Sequence, residues 1–279
     1  DDALSLCFDG LPLSAPIEIL GNAVLTLRVA ADRPLAMLAV RLNEIRPDGA
    51  VVKLATGFLN LAHRGGSAAP EPLEPGVWVD ATVQLSAIGC HIPAGHRLRV
   101  SLSPSYWPVV WPSPEVVTLQ VAGPAVMTVP LRQARDEPSV TFQPRETAGR
   151  VELVNLRKGR EFARSTEFDP VRNQVTRRLA GTGGYGAEGT NLIPDVGLVM
   201  VNDAWRQHRI TLDDPCSPVC EFHQTNAFQR EDWDIRVESR VRVTSTSDSF
   251  ILICDVDVFE NDARVLCRSW NREIPRDCV

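Results

Sequence analysis

Lysine is almost missing from this chain. Of its 29 basic residues only Lys53 and Lys158 are lysines, and the rest are arginines, a codon bias of GC-rich bacterial genomes. No run of about 18 apolar residues occurs, which excludes a helical membrane span. The net charge of −6 leaves no basic footprint for nucleic acid, so neither a membrane nor a nucleic acid is expected as a partner. A charged n-region followed by an apolar h-region is missing too, so Asp1-Asp2-Ala3 does not open a signal peptide. Without an initial Met, the chain reads as a fragment of a longer protein. Cysteine is odd in number and irregularly spaced: Cys7, Cys90, Cys216, Cys220, Cys254, Cys267 and Cys278. A chain of 279 residues needs no disulfide staples, so reduced, mostly buried thiols in a cytoplasm are expected. There is no internal repeat and no convincing segment of period 3.6, which excludes the βαβ alternation of a parallel-sheet enzyme.

What is present is alternation of period two. In 77–85, Val77, Val79, Ala81, Val83 and Leu85 share a face, and in 97–103 Leu98, Val100 and Leu102 oppose Arg97, Arg99, Ser101 and Ser103. The clearest case is 233–243, where Trp233, Ile235, Val237, Val241 and Val243 oppose Asp234, Arg236, Glu238, Arg240 and Arg242. Segments 23–30, 38–46, 50–60, 115–121, 126–131, 150–156, 250–259 and 264–270 read as further strands. Turns such as Pro47-Asp48-Gly49, Pro93-Ala94-Gly95 and Glu260-Asn261-Asp262 separate them. Many short strands at this spacing predict an all-β protein. Residues 132–149 are polar, carry Pro138 and Pro144, and place a boundary near 138. Beyond it, 157–198 reads as long and irregular.

In the first half, an ordered set of short motifs resembles the C-terminal, non-catalytic domain of the X-Pro dipeptidyl-peptidase family, which includes the cocaine-esterase-like (CocE/NonD) serine hydrolases. The residues that carry it are Asp1-Asp2-Ala3-Leu4 to Phe8, Pro16-Ile17-Glu18-Ile19-Leu20-Gly21, Arg41-Leu42 with Arg46-Pro47-Asp48-Gly49, Leu73-Glu74-Pro75-Gly76, Gly95-His96-Arg97-Leu98-Arg99-Val100 and Ser103-Pro104-Ser105-Tyr106-Trp107-Pro108. The chain departs from the family at 35–40, where relatives carry a short acidic-aromatic stretch and this sequence has Leu35-Ala36-Met37-Leu38-Ala39-Val40. The resemblance implies a jelly-roll, galactose-binding-like β-sandwich over 1–138; the strand-rich half beyond it, 139–279, reads as a second antiparallel β domain. It also implies an upstream α/β-hydrolase domain of the same protein that carries a Ser-His-Asp triad.

The chain itself is poor in chemistry. An α/β-hydrolase nucleophile needs the strained G-x-S-x-G elbow. The nearest approach, Gly65-Gly66-Ser67-Ala68-Ala69, runs into Pro70-Glu71-Pro72, which cannot open a helix of any length, so no catalytic residue is expected. His96, in a turn entering a strand, reads as part of the sandwich, and His63, His91 and His208 read as loop or surface residues. Cys216, Cys220 and His223 have an unusual spacing for zinc, so no metal site is expected. Gly181-Thr182-Gly183-Gly184-Tyr185-Gly186 matches G-x-G-x-x-G, but another loop follows where a helix is required, and no cofactor is expected. Asp255 and Asp257 share a strand face and read as solvated or paired with arginines of 236–242.

The most informative segment is Ser105-Tyr106-Trp107-Pro108-Val109-Val110-Trp111-Pro112. Its stiffened aromatics Tyr106, Trp107 and Trp111 suit an interdomain or ligand surface. Taken with the resemblance, they predict a surface for the hydrolase domain, or for self-association into a homo-oligomer. A stand-alone carbohydrate-binding or interaction module is the alternative. The parent protein would cleave X-Pro peptides or small esters, with its nucleophile outside this chain.

Overall fold

The computed structural model describes residues 2–132, 141–146, 149, 151–181 and 189–279. The boundary expected near 138 and the glycine-rich residues 182–186 lie outside the described residues. The chain divides into two compact units, Asp1–Ser139 with Asp277–Val279, and Val140–Arg276. Among the described residues no helix is long and apolar enough to cross a membrane.

The first unit is a sandwich of two antiparallel sheets. Its strands are β1 (Leu6–Asp9), β2 (Ile17–Ala31), β3 (Met37–Ile45), β4 (Val51–Asn60), β5 (Val79–Ile92), β6 (Arg97–Ser103) and β7 (Leu119–Thr128). One sheet has the order β1-β6-β3-β4 and the other β5-β2-β7. Alternation decides what lies between them. Leu25, Leu27 and Val29 of β2 and Ala81, Val83 and Leu85 of β5 meet Leu38, Val40 and Leu42 of β3, all of them buried. Sequence periodicity suggests separate strands at 115–121 and 126–131. The structure joins most of this stretch into β7, with a register shift against β2 between Thr26 and Arg28. β7 is an outer strand, so Pro124 sits within it without breaking a central ladder.

Among the described residues the second unit is one antiparallel sheet of nine strands. These are β8 (Val154–Lys158), β9 (Ala163–Asp169), β10 (Gln174–Ala180), β11 (Gly189–Ile193), β12 (Leu198–Thr211), β13 (Asp214–Arg230), β14 (Trp233–Ser245), β15 (Ser249–Glu260) and β16 (Ala263–Pro275). The main path runs β16-β15-β14-β13-β12-β10-β9, and β11 pairs with both β12 and β8. The expectation of an irregular 157–198 is corrected, because β9, β10 and β11 lie in it. β9 is exposed along almost its whole length, so no apolar stripe marks it in the sequence. β12 and β13, spanning 198–230, also escape the alternation pattern, since Pro215 and Pro218 interrupt it and Asn202, Gln224 and Asn226 occupy positions where an apolar residue would mark the face.

Register sorts the sheet's two faces. Arg206, Phe222, Val241, Cys254 and Trp270 form one row of cross-strand neighbours, and His208, Cys220, Val243, Leu252 and Arg272 the next row on the same face. The opposite face carries Trp205, His223, Arg240, Asp255 and Ser269, then Asp203, Thr225, Glu238, Asp257 and Cys267. One face is therefore mainly apolar and the other mainly charged. Burial on the apolar face pushes the Cys220 thiol up to about 11. Burial, and secondarily the charge of Arg206, holds the His208 imidazole below its ordinary 6.5.

Two outcomes follow from this packing. A Cβ on Gly57 of β4 would lie 2.7 Å from the Gln84 carbonyl oxygen and 2.9 Å from Val83 Cγ1 of β5, where the two sheets approach closely. Gly57→Ala is expected to destabilise the sandwich by about 1–3 kcal/mol in urea denaturation, and an unmoved midpoint would refute this contact. Secondly, the unfolded chain binds a proton at His208 at higher pH than the folded chain does, so this residue makes stability rise with pH through the range around 6.5. The melting temperature is expected to drop between about pH 7.5 and 5.5, and His208→Gln to drop less over the same interval. Equal slopes for the two proteins would exclude this origin.

Candidate docking surface

The aromatic loop lies directly after β6. Arg41 and Asn43 of β3 and Ser101 and Ser103 of β6 alternate away from the sandwich core, yet all four are buried. Arg41 is the extreme case, a cation 2% exposed. Its Nη2 donates to Asp2 Oδ1 at 3.0 Å and to Ser5 Oγ at 2.7 Å. Asn43 Nδ2 donates to Ser101 Oγ at 3.0 Å. Arg99 holds Asp9 through two hydrogen bonds of 2.6 and 2.9 Å and reaches Asp2 Oδ2 at 3.3 Å. Burial alone would raise the Asp2 carboxyl, but hydrogen bonds from Ser101, Arg41 and Arg99 together bring it below its ordinary value.

Tyr106 lies over this network. The Arg41 guanidinium is 5.1 Å from its ring centroid, the Lys53 ammonium is 5.7 Å away, and Phe58 of β4 packs at 5.7 Å. Lys53 Nζ also donates to the Tyr106 hydroxyl at 3.4 Å. The loop turns on Tyr106, whose carbonyl accepts from the amides of Val109 and Val110, both at 3.0 Å. Trp107 and Trp111 meet edge to face with centroids 5.1 Å apart. Tyr106, Trp107 and Trp111 are all half-buried. The structure thus brings the two tryptophans together and gives Tyr106 to the cations beneath it. Asp2, Arg41, Asn43 and Lys53, with Val51, line a depression of about 240 Å³ beside Tyr106. Sequence reading placed the aromatics but missed these groups. The available signal was Arg41 and Asn43 interrupting the apolar run Leu38-Ala39-Val40-Leu42.

The other candidates fall elsewhere. His96 Nδ1 is 2.5 Å from Glu44 Oε1 and both side chains are largely buried, a pair inside the sandwich unit with no serine in it. Ser67 Oγ lies 3.3 Å from His63 Nδ1 in an exposed loop with no helix after it, and His63 Nε2 has no hydrogen-bond partner, so no carboxylate orients the ring. Cys220 and His223 are three residues apart on β13 and so project to opposite faces of the sheet, which separates the one sulfur-imidazole set the sequence offered. Asp255 accepts from the Ser269 hydroxyl at 2.6 Å, and Asp257 meets Arg264 at 3.4 Å. Register sets Arg240 opposite Asp255 and Glu238, a like charge, opposite Asp257, yet among the described residues Ser269 and Arg264 hold the two carboxylates in place of an arginine of 236–242. The seven cysteines form no disulfide.

The model of the X-Pro dipeptidyl-peptidase C-terminal non-catalytic domain matches residues 1–143. Cocaine esterase of Rhodococcus sp. (strain MB1 Bresler) is 25% identical over 103 residues, 37% of this chain and 18% of that protein. The putative serine esterase Mb1866c of Mycobacterium bovis is 27% identical over 119 residues, 37% of this chain and 19% of that protein. Among solved structures, an α-amino acid ester hydrolase is similar with 19% identity and a TM-score of 0.44, over 46% of this chain and 26% of that one. An aminopeptidase from a marine-sediment Thaumarchaeota archaeon gives 18% identity and a TM-score of 0.43, over 47% and 26%. The chain spans about a fifth of the length of these curated relatives. With half of its residues under that family model and an antiparallel β-sandwich over the same stretch, the chain belongs to the X-Pro dipeptidyl-peptidase C-terminal, non-catalytic domain family.

Proposed function

We propose that this chain is the non-catalytic C-terminal region of a bacterial, cytoplasmic serine hydrolase of the acyl esterase or X-Pro dipeptidyl-peptidase type. In this reading 1–138 is a jelly-roll domain that packs on an α/β-hydrolase domain of the same protein, and 139–279 is a separate β domain. The observation that carries it is the family match over 1–143, whose description is non-catalytic. Ester hydrolysis comes from the names of the relatives, each of which is far longer than the stretch it shares with this chain. Tyr106, Trp107 and Trp111 are the docking side chains. The loop suits that role because its turn is fixed by Tyr106 and its aromatics are half-buried rather than sealed in the core. Interdomain interfaces cover roughly 600–1,500 Å² and are partly apolar, a size that a rigid aromatic loop with its flanking strands can supply. The same surface supports homo-oligomer formation when no hydrolase domain covers it.

The chain alone is expected not to hydrolyse p-nitrophenyl esters or X-Pro-anilides, whereas the protein extended to include an α/β-hydrolase domain does. Turnover by the chain alone that disappears in Ser67→Ala would overturn this. For the surface, Trp107→Ala with Trp111→Ala is expected to weaken self-association in sedimentation while leaving the melting temperature nearly unchanged. A melting temperature many degrees lower with unaltered association would make both residues ordinary packing.

A further inference from the structure

The charged face of the second unit holds a groove that no step above uses. Arg160, Asp203, Trp205, His223, Thr225 and Arg240 line a depression of about 180 Å³. It adjoins a depression of about 270 Å³ across Thr225 and one of about 300 Å³ across Arg160 and Asp203. Drug-sized pockets hold roughly 300–1,000 Å³, so the central depression takes a single ring, and its neighbours extend the groove by further units.

The central depression is built, and its charges are already sorted. Trp205 and His223, cross-strand neighbours on β12 and β13, stack with ring centroids 4.0 Å apart and an interplanar angle of 12°. Asp203 is held by Arg160 through contacts of 2.8 and 3.0 Å. Glu238 is held by Arg236 at 3.0 Å, and that guanidinium lies 4.2 Å from the Phe259 ring centroid in the adjoining depression. Each carboxylate therefore has its cation. Arg240 stands beside His223 in register and makes no ion pair among the described residues, although Asp255 is its neighbour on β15. Burial first, and the Arg240 charge second, hold His223 below its ordinary value, so it is neutral at pH 7 and adds no charge. What is left over is one planar cation beside an aromatic pair, with the Thr225 hydroxyl on the same face of the sheet.

We propose that this groove binds a segment of acidic polysaccharide, with one uronate ring in the Trp205–His223 depression and its carboxylate on Arg240. A guanidinium presents a fork of donors that matches a carboxylate. A hydroxyl of the ring meets Thr225, and its apolar face meets the indole. The series of adjoining depressions favours a chain of rings over a single small acid. Such a site is formed by β12, β13 and β14 with Arg160 of the second unit and does not depend on the hydrolase reading.

The test is titration of the purified chain with tri-galacturonate, maltotriose and inorganic phosphate, followed by tryptophan fluorescence and calorimetry. Tri-galacturonate is expected to bind and to change the indole emission, maltotriose to bind at least about tenfold more weakly, and phosphate not to displace the trimer at equal concentration. Arg240→Gln, at an exposed position, is expected to lose about tenfold or more in affinity with an unchanged melting curve, and Arg240→Lys to lose less. Arg272→Gln, on the opposite face, should bind as the parent does. Equal binding of the charged and neutral trimers would overturn the proposal, as would displacement by phosphate alone, an equal loss in Arg272→Gln, or no binding at millimolar trimer.

Discussion

A cation buried on the side of its sheet that faces away from the core sets much of the first unit. Arg41 is almost without solvent, and a guanidinium in that position is tolerable only if its donors are engaged. The acceptors come from the start of the chain, Asp2 and Ser5, and Tyr106 lies above. One side chain thereby ties the N-terminal turn, the central strand β3 and the aromatic loop together. Removing the guanidinium would leave the Asp2 carboxylate to Arg99, Ser101 and Asn43. Replacing Asp2 instead would take its carboxylate from the buried cation and leave Ser5 and Tyr106 against it, the costlier of the two errors. The network that orients the loop is thus also the network that fixes the first residues of the chain.

The two units solve the same problem differently. In the sandwich, each sheet covers the apolar face of the other, and residues such as Val29, Leu38 and Val40 have no exposure at all. Among its described residues the second unit has one sheet, so its long strands hold together chiefly by ladders and cross-strand pairs. Few of those residues are buried; Ile210 and Val219 are among those that are. Stability there is spread over many small lateral contacts, such as Arg236 on Phe259 and Trp205 on His223.

The sandwich was legible because its strands have one dry and one wet face. Val79, Ala81, Val83 and Leu85 announce β5 by that contrast alone, and the same holds for β14 in the second unit. Contrast is lost where both faces are similar. β9, exposed along almost its whole length with Phe168 as its one large apolar residue, carries no stripe, and β13 begins with two prolines in its first five residues. The aromatic loop was visible as a cluster of rings, but not its support, since nothing in the local sequence says that Arg41 is covered. The groove of the second unit was beyond reach for another reason. Trp205, His223 and Arg240 become neighbours only through the register of three strands, and two of those strands were not seen.

An open sheet also has outermost strands, and among the described residues they are β16 on one side and β9 and β8 on the other. Their unpaired backbone groups are templates for another strand. Along β16, Arg264, Arg268 and Arg272 recur, while β9 carries both Arg164 and Glu167. Two copies of β16 brought side by side would set arginine against arginine, a repulsion that reaches only about 8 Å at physiological ionic strength. Added salt screens that repulsion, so the arginines of β16 guard its open edge least where the salt is highest.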